Sequence, residues 1–248
     1  MKFKQLVAIG IITSIMLACK TPLTVQRIEQ HNFSISDSIP EKQEISDLIR
    51  PYKIELDQKM NQILAYNPIT LDKNGADFTL GIFVTDLMLK EVNDRYRKIH
   101  PGERVDAVLM NTGGLRRTFT PGDLTVRSIY ELMPFENEVV VVTLTADKFE
   151  EMVRFLQKSD RNHPIAGFSF NKNQEVLNIL INGKPLDPNK TYRVVTNDYL
   201  QKGGDDMDFF KNAVNTEYFD LKIRDLFIES LQQIDTIKIN KNPRYILN

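Results

Sequence analysis

Apolar positions in this chain change period several times, and each change marks an element. Ile45, Leu48 and Ile49 share one helical face. Pro51 can open a further helix, because its missing N–H costs nothing in a first turn; Ile54, Leu56, Met60, Ile63 and Leu64 carry that helix to about Tyr66. A second helix is expected over residues 78–98, with Phe83, Leu87, Leu89 and Val92 among its apolar positions. Its last turn holds Arg95, Arg97 and Lys98, cations suited to the negative helix end. Residues 105–110 read as a buried strand, 125–132 as a short helix and 138–144 as a β-branched strand. Thr145 is positioned to cap a helix over 146–156. Further strands are expected at 168–170, 176–181 and 192–196, with Asn182-Gly183 as a hairpin turn. A late helix covers 221–233. Helices and strands are mixed rather than strictly alternating, so the fold class is α+β, a mixed β-sheet with flanking helices.

The first 19 residues are of another kind. Lys2 and Lys4 precede an apolar run from Leu6 to Ala18, too short to span a membrane and suited to the core of a signal peptide. The run ends at Met16-Leu17-Ala18-Cys19, which resembles a bacterial lipobox with Met where Leu is usual. An ordinary leader with an incidental cysteine is the competing account. It fares worse because Cys19 is the only cysteine in the chain, and a lone thiol is unwelcome in an oxidising compartment. Lipidation at Cys19 would anchor an exported protein to the cell envelope without a spanning helix. The expected organisation is a leader over 1–19, a tether over 20–41 and one folded domain over 42–248.

Composition narrows the function classes. The chain has 248 residues, 42 % hydrophobic and 26 % charged, with formal net charge −1. No basic stripe interleaved with aromatics appears, which argues against a nucleic-acid partner. The three histidines, His31, His100 and His163, sit far apart and beside no paired acids, so no metal site is expected within this chain. No Gly-x-Ser-x-Gly elbow and no phosphate-binding Gly-Lys-Ser/Thr loop is present. No residue is assigned a catalytic role.

Three loops stand out instead. Asn111-Thr112-Gly113-Gly114-Leu115-Arg116-Arg117 follows a strand; paired glycines let backbone approach a ligand, and Arg116 offers a planar fork to an anion. Taken alone, a Gly-Gly turn with a surface Arg accounts for it equally well. Phe135 and Asn137 lie in the loop Pro134-Phe135-Glu136-Asn137, where a core-edge aromatic is the plainer account of Phe135. The third loop, Thr196-Asn197-Asp198-Tyr199-Leu200-Gln201-Lys202-Gly203-Gly204-Asp205, puts an aromatic six residues before an Asp, against which stands an Asx-stabilised turn. Two aromatics, an Arg and an Asp on loops at strand ends together describe a nucleoside site, with the rings stacking on a base.

At these residues the chain resembles the C-terminal domain of the 5′-nucleotidase family. Asn111 to Arg116 match an Asn-Gly-Gly-Gly-Ile-Arg-like loop, Tyr130 to Asn137 a Tyr-Glu-x-Leu-Pro-Phe-x-Asn segment, and Thr196 to Asp205 a Thr-Asn-Asp-aromatic-Leu-x-x-Gly-Gly-Asp segment. The resemblance covers roughly residues 51–229. It implies that Phe135 and Tyr199 sandwich a base, that Asp205 holds a ribose, and that Arg116, with Asn111 beside it, meets the sugar-phosphate side. It places Asn137 near the base and Gly167 at the approach to the ligand. Two features depart from the family pattern. Leu80-Gly81-Ile82 replaces Leu-Gly-Asn, and residues 71–77 offer Lys73 and Asn74 where a ligand-binding Arg is expected.

The resemblance further implies a divalent-metal phosphoesterase domain, which the residues ahead of Pro51 do not supply. The first reading is therefore a nucleotide-recognition subunit of a split phosphate-ester hydrolase, with metals and catalysis on a separate metallophosphoesterase chain. The second is a non-catalytic lipoprotein that binds nucleosides or nucleotides. The third, motivated by Ile82 and the missing Arg, is a degenerate interaction scaffold.

Overall fold

Four valines in succession, Val139 to Val142, call for burial on both sides of a strand, since neighbours along a strand point to opposite faces. The computed structural model, which describes residues 29–30, 32, 34, 39–73, 78–240, 242 and 244–246, meets that demand. Its elements in chain order begin with α1 (Gln43–Met60), β1 (Ile63–Asn67), α2 (Thr79–Ile99), β2 (Ala107–Leu109), β3 (Gly122–Thr125) and α3 (Val126–Leu132). There follow β4 (Glu138–Thr145), α4 (Ala146–Lys158), β5 (Ile165–Ala166), β6 (Phe168–Asn171), β7 (Ile179–Ile181), β8 (Lys184–Pro185) and β9 (Thr191–Asn197). The last are α5 (Asp198–Gln201), β10 (Asn215–Lys222), α6 (Ile223–Leu231) and β11 (Tyr245–Ile246). The leader, Cys19, most of the tether and residues 74–77, including Asn74, lie outside the described residues. The chain partitions at Ile49/Arg50, and residues 50–248 carry every strand among the described residues.

The fold is α+β. A five-stranded sheet in the order β10-β4-β9-β2-β5 is antiparallel except for the β2–β9 pair. Val139, Val141, Val108 and Val195 face one core, with the apolar stripes of α2, α3 and α6. Val140, Val142, Ala107, Leu109 and Val194 face a second core, filled by α4 and a four-stranded sheet of order β11-β6-β7-β8. Helix α4 buries Ala146, Phe149, Met152, Val153 and Leu156, the spacing of a single helical face. Its cap is as the sequence reads: Thr145 Oγ1 accepts from Lys148 N at 3.3 Å. Thr125 and Ser128 cap α3 reciprocally, each hydroxyl accepting from the other's backbone N–H.

Several expectations are corrected. Pro51 lies inside one helix, α1, instead of opening a new one. No residue of α1 is buried, so solvent can compensate for the lost proline N–H without loss of a core contact. That helix stops at Met60, not near Tyr66. Ile63 to Asn67 form a strand antiparallel to β3, where β-branched and aromatic residues fit a pleated surface, and Leu64 and Ala65 enter the core. Residues 215–222, partly read as the start of the late helix, are the edge strand β10, and α6 begins only at Ile223. The expected strand over 176–181 shortens to β7.

Behind the sheet edge, His163 is buried between α4 and β5. Its Nε2 lies 3.3 Å from Ser159 Oγ, and Nδ1 has no hydrogen-bond partner among the described residues. Burial pushes its pKa down to about 4, against the pull of Asp205. A histidine neutral in the folded state and free to protonate when unfolded contributes full stability above pH 6.5. That contribution falls away as pH drops toward 4, by on the order of 3 kcal/mol. Urea unfolding of His163→Gln against the native chain, from about pH 7.5 to 4, should show a flatter loss of stability in the variant.

Candidate functional site

The end of β2, the end of β9 and the start of β4 meet at one edge of the central sheet. The two parallel strands β2 and β9 finish side by side, and the antiparallel β4 begins with Val139 opposite Asn197. The loops that leave or enter there are the three that the sequence singles out. Their side chains line one cavity of ≈ 380 Å³: Asn111, Arg116, Phe135, Asn137, Tyr199 and Asp205, with backbone from Gly113 and Gly114. Gly167 is not among the lining residues. It takes φ +80° at the β5–β6 turn, where a Cβ would come within 2.1 Å of the Asp106 carbonyl oxygen, so close backbone packing accounts for it.

Phe135 and Tyr199 are 51 % and 46 % exposed, although the interior nearby is closely filled. Large rings left half-uncovered in a concavity are poorly explained by packing. Phe135 is held from both sides. Glu136 pairs with Lys222 and with Arg224, whose guanidinium lies 4.0 Å from the centre of the Tyr130 ring. Hydrogen bonds from Lys222 and then Arg224 bring the Glu136 carboxyl down to a pKa of about 2. On the other side, Asp198 Oδ1 accepts from Asn137 Nδ2 and from the Glu138 backbone N–H, both at 3.1 Å. Burial alone would raise the Asp198 pKa, but these bonds and Lys202 outweigh it and hold the carboxyl ionised.

Asp205 is the polar centre. Its Oδ2 accepts from Asn111 Nδ2 at 2.7 Å and its Oδ1 from the Tyr199 hydroxyl at 2.8 Å, while its own backbone N–H donates to that hydroxyl at 3.2 Å. Donation to Asp205 keeps the phenol protonated and its pKa raised. The loop reaches this geometry through left-handed backbone at Gly203, Asp205 and Asp206, with φ of 90°, 53° and 61°. For the two aspartates that conformation costs on the order of 1 kcal/mol each or more, and strain of this kind gathers at functional sites. Gly204 is needed for a second reason: a Cβ there would sit 2.4 Å from the Tyr199 ring. Arg116 is fastened by its backbone N–H to the Leu132 carbonyl at 2.8 Å, and its guanidinium reaches only the Gly113 carbonyl at 3.4 Å among the described residues.

The sequence reading misses Asp198, Glu136 and Arg224. Asp198 carries a signal, as it lies inside the Asn-Asp-Tyr segment. The partners of Glu136 are 86 and 88 residues away, and no local pattern joins them. Ile82, whose place in the helix departs from the motif, does not line the cavity. Gly204→Ala should push the Tyr199 ring out of place. The expected outcome is a lower melting temperature, from about 1–3 kcal/mol of overpacking, and a changed near-ultraviolet tyrosine dichroism. An unchanged spectrum would mean that the ring does not rest on Gly204 in solution.

The family model described as 5′-nucleotidase, C-terminal domain, matches residues 59–212, more than half of the chain. Protein UshA of Yersinia enterocolitica is 30 % identical over 138 residues, which is 52 % of this chain and 25 % of that protein. The trifunctional nucleotide phosphoesterase protein YfkN of Bacillus subtilis is 27 % identical over 237 residues, 87 % of this chain and 15 % of its own length. The chain thus spans a quarter or less of these two relatives. Among solved structures, the 5′-nucleotidase precursor from Thermus thermophilus superposes with a TM-score of 0.68 over 86 % of this chain and 45 % of that one, a likeness of fold at 22 % identity. The matched span holds every residue that lines the cavity, and on that footing the chain belongs to the family of 5′-nucleotidase C-terminal domains.

Proposed function

We propose that this chain is the nucleotide-recognition part of a split 5′-nucleotidase-type phosphate-ester hydrolase, held at the cell envelope by a lipid on Cys19. The observation that carries the reading is the cavity itself, with two half-exposed rings, a carboxylate and a guanidinium that has no carboxylate partner among the described residues. A purine or pyrimidine stacks between Phe135 and Tyr199. The ribose hydroxyls donate to Asp205, and Arg116 takes the phosphate side. The relative named as a nucleotide phosphoesterase supports hydrolysis of phosphate esters as the overall reaction.

No group of three or more His, Cys, Asp or Glu among the described residues is placed to hold a metal ion. In this reading the divalent metals and the attacking water belong to a separate metallophosphoesterase chain. The role of the present residues is to bind and orient: binding energy from the base is used to position the phosphate at the partner's metals. A lone nucleoside-binding lipoprotein is the second reading, favoured by the same cavity if no partner is needed.

Calorimetric titration of the full chain in mild detergent with adenosine and AMP should show binding. Tyr199→Ala should weaken it by about 1–3 kcal/mol, the worth of one stacked base, whereas Tyr199→Phe keeps the stacking face. No heat with either ligand would overturn the nucleoside reading. The purified chain should release no phosphate from AMP with divalent metal present and should gain that activity with the metal-bearing chain. Hydrolysis by the chain alone would overturn the split arrangement.

A further inference from the structure

Helix α1 is seated the wrong way round. A helix at the surface of a domain turns its apolar stripe inward and its polar side to water. Near its C-terminal end α1 does the reverse. Asp57 Oδ1 accepts from Arg127 Nη2 at 2.7 Å and Asn61 Oδ1 from Arg127 Nε at 3.4 Å, so the polar side meets the start of α3. At helical spacing Ile45, Leu48, Ile49, Tyr52 and Leu56 fall within an arc of about 100°, and Asp57 lies more than a quarter turn from its centre. All five are more than half exposed, Leu48 at 70 % and Tyr52 at 74 %. Ile54 alone of the large apolar residues falls on another side. A helix of 18 residues with none buried and a proline inside gains little from its own backbone, so this stripe calls for a cover.

Three observations choose among the covers. The chain from Cys19 to Gln43, fully extended, reaches no more than about 80 Å. A lipid on Cys19 therefore confines α1 near the lipid surface, where weak affinity is enough to keep it seated. The charges are also arranged for that surface. Lys53 borders the stripe, and Lys59 lies in line with its C-terminal end, bonded to Glu55 at 2.8 Å, while Asp47 and Asp57 occupy the far sides. Long lysine stems lie along an apolar layer and lift their ammonium groups to the headgroups. A second copy of the helix fits less well, because Lys59 would then fall in the apolar seam between the two.

The geometry points to α1 as a lipid-surface helix: its stripe of Ile45, Leu48, Ile49, Tyr52 and Leu56 rests in the headgroup–acyl boundary of the membrane that holds the lipid of Cys19. The inference rests on the reading of Cys19 as lipidated and adds a second contact to that anchor. The contact has a consequence for the cavity. The Val126 N–H donates to the Gln62 carbonyl at 3.0 Å, which ties the segment after α1 to the start of α3, and α3 ends at the loop of Phe135. A seated α1 thus sets the height and tilt at which the nucleoside cavity is held above the lipid.

The test uses the full chain purified with its lipid and reconstituted into vesicles of phosphatidylethanolamine and phosphatidylglycerol. Lipidation consumes the thiol of the only cysteine, so one nitroxide can be placed through Tyr52→Cys, on the stripe, or through Gln58→Cys, on the opposite side. Both positions are exposed, so neither change disturbs a core. Collision with oxygen, which concentrates in lipid, is compared with collision with a water-soluble nickel chelate. The expected result is an oxygen-to-nickel ratio several-fold higher at position 52 than at position 58. Equal access of the chelate to both positions would overturn the inference. A position 52 closed to oxygen and chelate alike would mean that protein covers the stripe, a second copy included, and would overturn it as well. The intact mass separates the two readings. A chain without acyl groups on Cys19 would overturn the anchor and this inference together, whereas a lipidated chain with an open position 52 would overturn this inference alone.

Discussion

The pairing of β4 with β9 runs without a register break through seven residue pairs, from Val139↔Asn197 to Thr145↔Thr191. Both strands are buried on both faces along most of that length, so each apolar side chain is committed to one of two cores. A slip of one residue would send Val139 and Val141 into the space shaped for Val140 and Val142, and the reverse. Burial of each such side chain contributes roughly 1.5–3 kcal/mol, so the register is held by many such terms at once. That same register places the start of β4 beside the ends of β9 and β2. The loops carrying Phe135, Tyr199 and Asn111 meet because the valines can pack in one way only.

On this rigid edge the polar parts of the cavity are fixed by charges that lie outside it. Glu136 is tied to Lys222 at the end of β10 and to Arg224 at the start of α6, and Asp198 gathers Asn137, the Glu138 amide and Lys202. Each carboxylate joins one loop to a different element. The aromatic rings can therefore stay half-exposed without collapsing onto the core, because the backbone beneath them is anchored independently of the rings. The left-handed run at Asp205 and Asp206 is a cost of the same design, offset by the hydrogen bonds that Asp205 receives.

The central strands and most helices are legible in the sequence because burial on two faces or one stripe leaves a clear period, as in Val139 to Val142 and in Ala146 to Leu156. The loops are legible because Gly-Gly, Pro-Phe and Asn-Asp-Tyr are costly or awkward unless something requires them. Strand β10 escapes notice because its residues are mostly part-exposed at an edge, so Asn215 to Lys222 show little apolar alternation. The turn after Met60 is hidden because Ile63 and Leu64 continue the apolar spacing of α1, and only pairing with β3 decides between helix and strand. At Gly167 the motif and the packing give separate reasons for a glycine: its place in the motif suggests a ligand approach, and the Asp106 backbone lies where a Cβ would be.

Both oxygens of Asp205 are already engaged, one by an amide and one by a phenol. Each of those oxygens keeps a second lone pair, so the two internal bonds orient the carboxylate without exhausting it. Substituting phenylalanine for Tyr199 would remove one of the two bonds and leave the group free to turn. The tyrosine hydroxyl thus works as a strut between ring and carboxylate: it fixes the direction in which the remaining lone pairs point, and it does so from within the same loop.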